Sequence, residues 1–266
     1  MRYYIADCHF YHRNLLAQMD NRPFASVEQM NEYMIEKWNK KVHAHDEVVV
    51  LGDFSLGNGE ETNQILRRLK GELFMIRGNH DERYLKDKAF DASRFQWIKD
   101  YAEIHDNKRK IVLSHYPIFC YNGQFRRNAD GVPLTYMLHG HIHKTEDQML
   151  VDKFCAETRS TMRKSAHQEV AQPIPCQMIN CFCMYSDYTP LTLEEWVECD
   201  KKRRNLERRS TEMLRALGMF SDDFMSDRNF DGAEIRKAAE AIRSKAEDIA
   251  RGNAKYATYE EVFEEK

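Results

Sequence analysis

Arg77-Gly78-Asn79-His80-Asp81 is the stretch that most limits how this chain can fold. It follows Leu73-Phe74-Met75-Ile76, an apolar run of the length of one buried strand. Asn and His are poor strand residues, and the glycine before them permits a sharp turn. An amide, an imidazole and a carboxylate are therefore presented together at a strand tip, where open α/β sheets place their ligands. Similar tips recur at Asp7-Cys8-His9, Gly52-Asp53, Ser114-His115 and Gly140-His141-Ile142-His143. The expectation is that these tips converge on one site.

The segments between the tips set the architecture. Tyr3 to Ala6 reads as a first strand. Ser26-Val27-Glu28-Gln29 has the form of a capping box, and Met30, Met34, Ile35 and Trp38 mark the buried face of a helix ending near Val42. Glu47 to Leu51 is a β-branched run. Glu60 to Lys70 reads as a helix with Ile65, Leu66 and Leu69 as its stripe and Gly71 as its cap. Strand, helix, strand, helix, strand argues for a parallel sheet flanked by helices. Beyond Phe90 the pattern turns β-rich. Trp97 to Ile104 and Arg109 to Leu113 flank the turn-prone Asp106-Asn107, as a hairpin into a second sheet would. Leu134 to Leu138 precedes the Gly-His-Ile-His turn. Glu146 to Gln172 reads as a long polar helix and Cys176 to Met184 as a final buried strand. Thr192-Leu193-Glu194-Glu195 is a second capping box, followed by two charged helices, Glu194 to Leu217 and Gly232 to Ala250. Composition places a catalytic domain at 1–198 and a charged helical C-terminal extension at 199–266.

Bulk properties exclude some classes. A chain of 266 residues with 42% hydrophobic and 31% charged residues is neither disordered throughout nor membrane-like. The formal net charge of -3 gives no global attraction to nucleic acid or to an anionic membrane surface. No signal peptide or membrane span is expected, since no stretch of 18 apolar residues occurs. Seven cysteines without a CxxC pair favour reduced thiols in a cytoplasmic protein.

Phosphate ester hydrolysis needs charge neutralised on the phosphoryl oxygens, a hydroxide at neutral pH and a proton for the leaving oxygen. Two nearby cations supply the first two, and holding them takes a bridging carboxylate among neutral N and O ligands. The strand tips offer that mixture. Asp7-x-His9, Gly52-Asp53, Gly78-Asn79-His80-Asp81, His115 and Gly140-His141-x-His143 resemble, in order, the motifs of the calcineurin-like metallophosphoesterases. Arg22-Pro23-Phe24, Trp38-Asn39 and Tyr188-Thr189-Pro190 are similar to the text of small bacterial and phage members.

The resemblance implies an α/β fold, a two-sheet β-sandwich flanked by helices, here with a helical C-terminal extension. It implies two divalent metal ions, with Asp7, His9 and His143 on the first, Asn79, His115 and His141 on the second, and Asp53 bridging both. The activity implied is hydrolysis of a phosphomonoester or phosphodiester by a hydroxide bridging the two metals. His80 would act as general acid or as a stabiliser of transition-state charge, with Asp81 orienting it. The N/O ligand set suits Mn, Fe, Zn, Co or Ni without choosing among them. Alternatives are a nuclease or a cyclic- or dinucleotide phosphodiesterase, and, in another class, a non-catalytic interaction scaffold on the same fold.

Other residues carry weaker expectations. His12, Asn14 and Arg22 follow the first motif and are candidates to line a substrate pocket, with loop solvation the alternative. Arg126 and Arg127 are candidates to reach a substrate phosphate from a long loop, or else an exposed pair. Arg77 reads as a surface residue. Cys176, Cys181, Cys183 and Cys199 lack the spacing of a zinc knuckle and read as buried thiols. Lys201 to Arg209 is basic but has no aromatics for base stacking, so a solvated helix face is expected rather than a nucleic-acid surface. Tyr256 to Phe263 is a candidate to dock on the core or on another subunit, and oligomers are expected, if at all, through the C-terminal helices.

Overall fold

The computed structural model describes residues 1–164 and 170–216. The chain divides after Arg203 into Met1–Arg203 and Arg204–Lys266, and the elements below belong to the first unit, apart from the end of the last helix. In chain order β1 (Arg2–Ile5), α1 (Val27–Lys41), β2 (Glu47–Leu51), α2 (Gly59–Arg68), β3 (Glu72–Ile76), α3 (Glu82–Leu85) and β4 (Phe95–Lys99) form the first half. The four strands pair in the order β1-β2-β3-β4, all parallel. Ser26 Oγ accepts the Gln29 N–H at the start of α1. At α2, Asn58 and Glu61 each accept the other's backbone N–H, a reciprocal cap that starts this helix one residue before the expected Glu60. Leu69, not Gly71, is the residue that caps its far end; Gly71 instead turns the chain into β3 with φ 95°.

The second half contributes β5 (Tyr101–Asp106), β6 (Arg109–Ser114), β7 (Thr135–His139), α4 (Glu146–Ser160), β8 (Met162–Arg163), β9 (Gln172–Pro173), β10 (Met178–Asn180) and α5 (Leu193–Ala216). Its sheet runs β10-β7-β6-β5, with only β5 antiparallel. The β5–β6 turn places Asn107 and Lys108 at φ 46° and 65°, the positive values that a tight hairpin needs. Ala6 joins the two sheets: its N–H donates to the Cys181 carbonyl, and its own carbonyl accepts from Cys183.

Each central strand alternates its side chains between two cores. Tyr4, Val49, Leu51 and Ile76 of the first sheet face Ile111, Leu113, Leu138 and Ile179 of the second. On the outer side of the first sheet, Tyr3, Ile5, Val48, Val50 and Met75 pack under α1 and α2. On the outer side of the second, Val112, Met137 and Met178 pack under Val151 and Cys155 of α4. The result is the expected two-sheet sandwich with helices outside.

Three expected elements are corrected. Trp97 to Ile104 is not one strand. The chain breaks at Asp100, β4 staying in the first sheet and β5 starting the second, and Arg77 pairs with Asp100 at this crossing. The helix expected to reach Gln172 ends at Ser160, where the Ser160 and Thr161 hydroxyls both donate to the Glu157 carbonyl and compete with the helix ladder. A short β8–β9 hairpin follows. The last strand keeps only Met178–Asn180, because the Asn180 side chain accepts the Phe182 N–H and turns the chain.

The Thr192–Glu195 capping box forms as read. α5 runs through position 198 without a break, and the division into a catalytic domain and an extension is taken up again as a proposal. Within the basic run, Arg203 is buried and holds Asp152 of α4 and Asp200. Cys176, Cys181 and Cys183 are buried free thiols and Cys199 is half-buried. Gly232 to Ala250 and Tyr256 to Phe263 lie outside the described residues. Among the described residues no helix is long and apolar enough to cross a membrane.

Candidate metal centre

The strand tips do meet, and they do so on strained backbone. Asp7 (φ 55°), His9 (52°), Asp53 (50°), His141 (71°) and His143 (46°) all occupy the left-handed region. Such residues cost about 1–3 kcal/mol each and persist only where the surroundings over-determine them. Between Asp7 and His9, Cys8 turns away into the helix-side core. Glycines supply the close approaches. A Cβ on Gly78 would lie 2.3 Å from Asp53 Oδ1, and one on Gly52 2.4 Å from His115 Nδ1.

Two groups of potential ligand atoms result, Asp7, His9 and His143 in one and Asp53, His115 and His141 in the other, each within 4.8 Å of one another. Asp53 faces both. Its Oδ1 accepts the His80 N–H at 2.8 Å. Its Oδ2 lies 3.5 Å from His9 Nε2 and 3.5 Å from His115 Nε2. Asn79 Oδ1 completes the second group, 3.0 Å from His115 Nε2 and 2.9 Å from His141 Nδ1. In the first group His9 Nε2 and His143 Nε2 are 3.1 Å apart, and His143 Nε2 is 3.8 Å from Asp7 Oδ1.

The donor set tests whether cations fit here. His115 Nδ1 donates to the Leu51 carbonyl and His143 Nδ1 to Asp20 Oδ1, each at 2.8 Å. In the neutral ring each inward Nε2 then carries a lone pair, aimed at an amide oxygen or at a second imidazole. Lone pairs at about 3 Å repel unless a proton or a cation lies between them. The groups thus fit two divalent cations with N/O ligands and no thiolate. Without cations, protons take that place. Burial pulls the His115 pKa down, but its hydrogen bond to Asp53 and the charges of Asp7 and Asp53 outweigh this and push it to about 9. Burial raises Asp7 to about 6 despite the imidazoles of His143 and His115. Burial and neighbouring imidazoles hold His9 well below its ordinary value.

Two sequence expectations are corrected here. Asp81 does not orient the His80 ring. Its buried carboxylate accepts the N–H groups of Asp53, Phe54 and Gly78 and the Tyr84 hydroxyl, so it ties two strand tips together through their backbones. Nor does Arg22 line a pocket for substrate. It is buried, pairs with Asp20, and donates to the Asp7 and Cys8 carbonyls, which the left-handed turn leaves without strand partners. His80 is exposed, with its ring 5.4 Å from that of His9 and 6.1 Å from that of His12. His12 is buried beside His9, their Nδ1 atoms 3.4 Å apart. Asn14 is exposed. Arg126 and Arg127 belong to the turn before β7, held by backbone bonds to Gly123, Pro133 and Leu134, and neither lines the cavity beside His141.

Sequence reasoning missed Asp20, which links the His143 ring to Arg22 and so to the Asp7 turn. It also missed Phe182, stacked on the His143 ring at 4.7 Å, and Tyr116, edge-on to His141 at 4.5 Å. Neither Asp20 nor Phe182 has a local signal, since each is brought in by the fold. Tyr116 adjoins a motif residue and was open to notice.

The family model described as the calcineurin-like phosphoesterase superfamily domain matches residues 4–155. An uncharacterised protein of Methanocaldococcus jannaschii is 34% identical over 143 residues, 53% of this chain and 68% of that one. A solved protein of unknown function from Aquifex aeolicus is similar at 23% identity and a TM-score of 0.49, covering 73% of this chain and 96% of its own. A single-mutant Vps29 from Entamoeba histolytica is similar at 18% identity and a TM-score of 0.29, over 66% of this chain and 73% of that one.

Proposed function

This chain belongs to the calcineurin-like phosphoesterase superfamily, and from that premise we propose that it is a dinuclear metal-dependent hydrolase of phosphoric esters. One observation carries the reading: Asp53 Oδ2 stands 3.5 Å from an imidazole nitrogen of each group while Oδ1 is held by the His80 N–H. That is the disposition a carboxylate needs to be shared by two ions. Asp7, His9 and His143 would hold one cation, Asn79, His115 and His141 the other. When bound, the pair supplies positive charge for the phosphoryl oxygens and a water acidic enough to attack at neutral pH.

The protein's own groups do the rest. Asp20 and Leu51 fix the ring tautomers of His143 and His115, so that both present Nε2 inward. Arg22 and Asp81 hold the tips in their strained conformations before any ligand arrives. His80, exposed beside the first group, gives a proton from its imidazole to the leaving oxygen or hydrogen-bonds the charge growing there. The catalytic domain is assigned to 1–198 and the extension to 199–266.

The test is an assay of metal-reconstituted protein on matched monoesters, diesters and nucleotides. Hydrolysis of at least one class, stopped by chelator and restored by a divalent cation, is expected. No turnover of any class with both ions bound would overturn the reading.

A further inference from the structure

Next to the second ligand group the surface holds a cavity of about 300 Å³, at the small end of small-molecule sites. Tyr116, Pro117, Phe119, Ile142, Leu150 and Val151 form its apolar wall. Tyr116, Phe119 and Leu150 remain 48%, 44% and 60% exposed. Large apolar side chains exposed singly need no explanation, but three around one cavity at the rim of a catalytic site do. The wall is also set in advance: Phe119 stacks on Phe154 of α4 at 4.5 Å, and Tyr116 packs edge-on to His141. His141 belongs both to the ligand group and to the cavity lining. An ester held by its phosphoryl group at the cations therefore has this apolar floor within reach of its organic part. The one acidic residue on the wall is Asp147, and among the described residues no Lys or Arg lines it. A second phosphate or a polyanionic chain would meet a negative charge there and no counter-charge.

We infer that the cavity is a subsite for the organic part of the substrate and that it selects phosphate esters carrying a flat, uncharged aromatic group of one or two rings. The inference rests on the hydrolase reading for the phosphoryl end of the substrate and adds the class of its other end. Asp147 accepts a hydrogen bond where the ring carries an N–H.

The experiment compares non-hydrolysable ligands by calorimetric titration into Mn-loaded protein: 2-naphthylmethylphosphonate against methylphosphonate. Burying one aromatic group predicts a preference of roughly tenfold or more for the first. Leu150→Glu places a charge on the wall from an exposed position, and Phe119→Ala removes one ring of it. Each should cut that preference at least about fivefold, with the fold checked by circular dichroism. Equal or undetectable binding of the two ligands, or a preference that survives Leu150→Glu, overturns the subsite. Turnover of the two corresponding phosphate esters, whose alcohols have similar acidity, is measured separately. If neither is hydrolysed while the binding preference holds, and no monoester, diester or nucleotide of the wider panel is turned over either, the hydrolase reading falls and the subsite stands. If both are hydrolysed with equal kcat/KM, the subsite falls and the hydrolase reading stands.

Discussion

The two halves of the candidate metal centre are built differently. Asp7, His9 and His143 are all buried, and each rests on further buried or half-buried groups: Arg22 under the Asp7 carbonyl, His12 beside His9, and Asp20, Phe182 and Asn180 around His143. On the other side Asn79 is exposed and His141 partly so. His115 is buried there, with the Leu51 carbonyl on its outer nitrogen, as is the shared Asp53. An enclosed, over-determined half is suited to hold its ion permanently. An open half next to an apolar cavity is suited to exchange its ion and to meet ligands. Pre-organisation and access are thus divided between the two groups, with Asp53 Oδ2 facing an imidazole of each.

The harshest way to break that division is to remove the shared charge. Asp53→Asn keeps the shape and the His80 N–H contact at Oδ1 but neutralises Oδ2, so both halves weaken together. Metal-dependent hydrolysis is expected to fall below detection in a protein with an unchanged circular dichroism spectrum. Undiminished turnover would refute the shared role. His80→Ala comes next. Both halves keep their ligands, and kcat should drop roughly a hundredfold with both ions still bound, within the usual range for loss of a general acid. An unchanged kcat on an ester with a poor leaving group would remove His80 from the chemistry.

A smaller effect separates the halves. Asp20→Asn leaves every ligand in place but weakens the partner that fixes the His143 tautomer. Affinity at the enclosed half should fall roughly ten- to a hundredfold, with the open half unmoved. Titration with a chelator in competition should then show one shifted phase. Two equally shifted phases would mean that the halves are not independent.

How much of this was legible beforehand depends on whether the controlling interaction is local. Gly78-Asn79-His80, Asp53 and the Gly-His-Ile-His turn could be read because ligand chemistry concentrates unusual residue types at strand ends. The two sheets could be read because Glu47 to Leu51 and Arg109 to Leu113 are segments of strand length with apolar, β-branched interiors. What failed was non-local. The Trp97 to Ile104 run has the composition of one strand, and only the packing of two sheets says that it must bend at Asp100. Arg22 reads as a pocket-lining or loop residue because nothing nearby in sequence shows that the Asp7 and Cys8 carbonyls, left without strand partners, take its donors. Asp81 reads as a partner of His80 for the same reason: two of its donors, the Asp53 and Phe54 N–H groups, come from another strand tip 28 and 27 residues away.

Protonation offers the gentlest test of the two halves. In the metal-free protein His115 titrates at about 9, because its hydrogen bond to Asp53 and the fields of Asp7 and Asp53 outweigh desolvation. His143 is raised too, with its hydrogen bond to Asp20 overcoming burial, while His9 stays neutral above pH 6.5. An unfolded imidazole titrates near 6.5, so between about pH 6.5 and 9 the folded state binds more protons than the unfolded one. Stability supplied by these imidazolium ions is complete below about pH 6.5 and is lost as pH rises through 9. The Tm of the metal-free protein should therefore fall across that interval. A cation must displace the same protons, so the rise in Tm on adding metal should grow over it. His115→Gln should flatten most of the slope, because the largest raised value belongs to the open half. If calorimetry finds the slope intact in that variant, the protons sit elsewhere, and the lone pairs facing each other across Asn79 are not what calls a cation into that half.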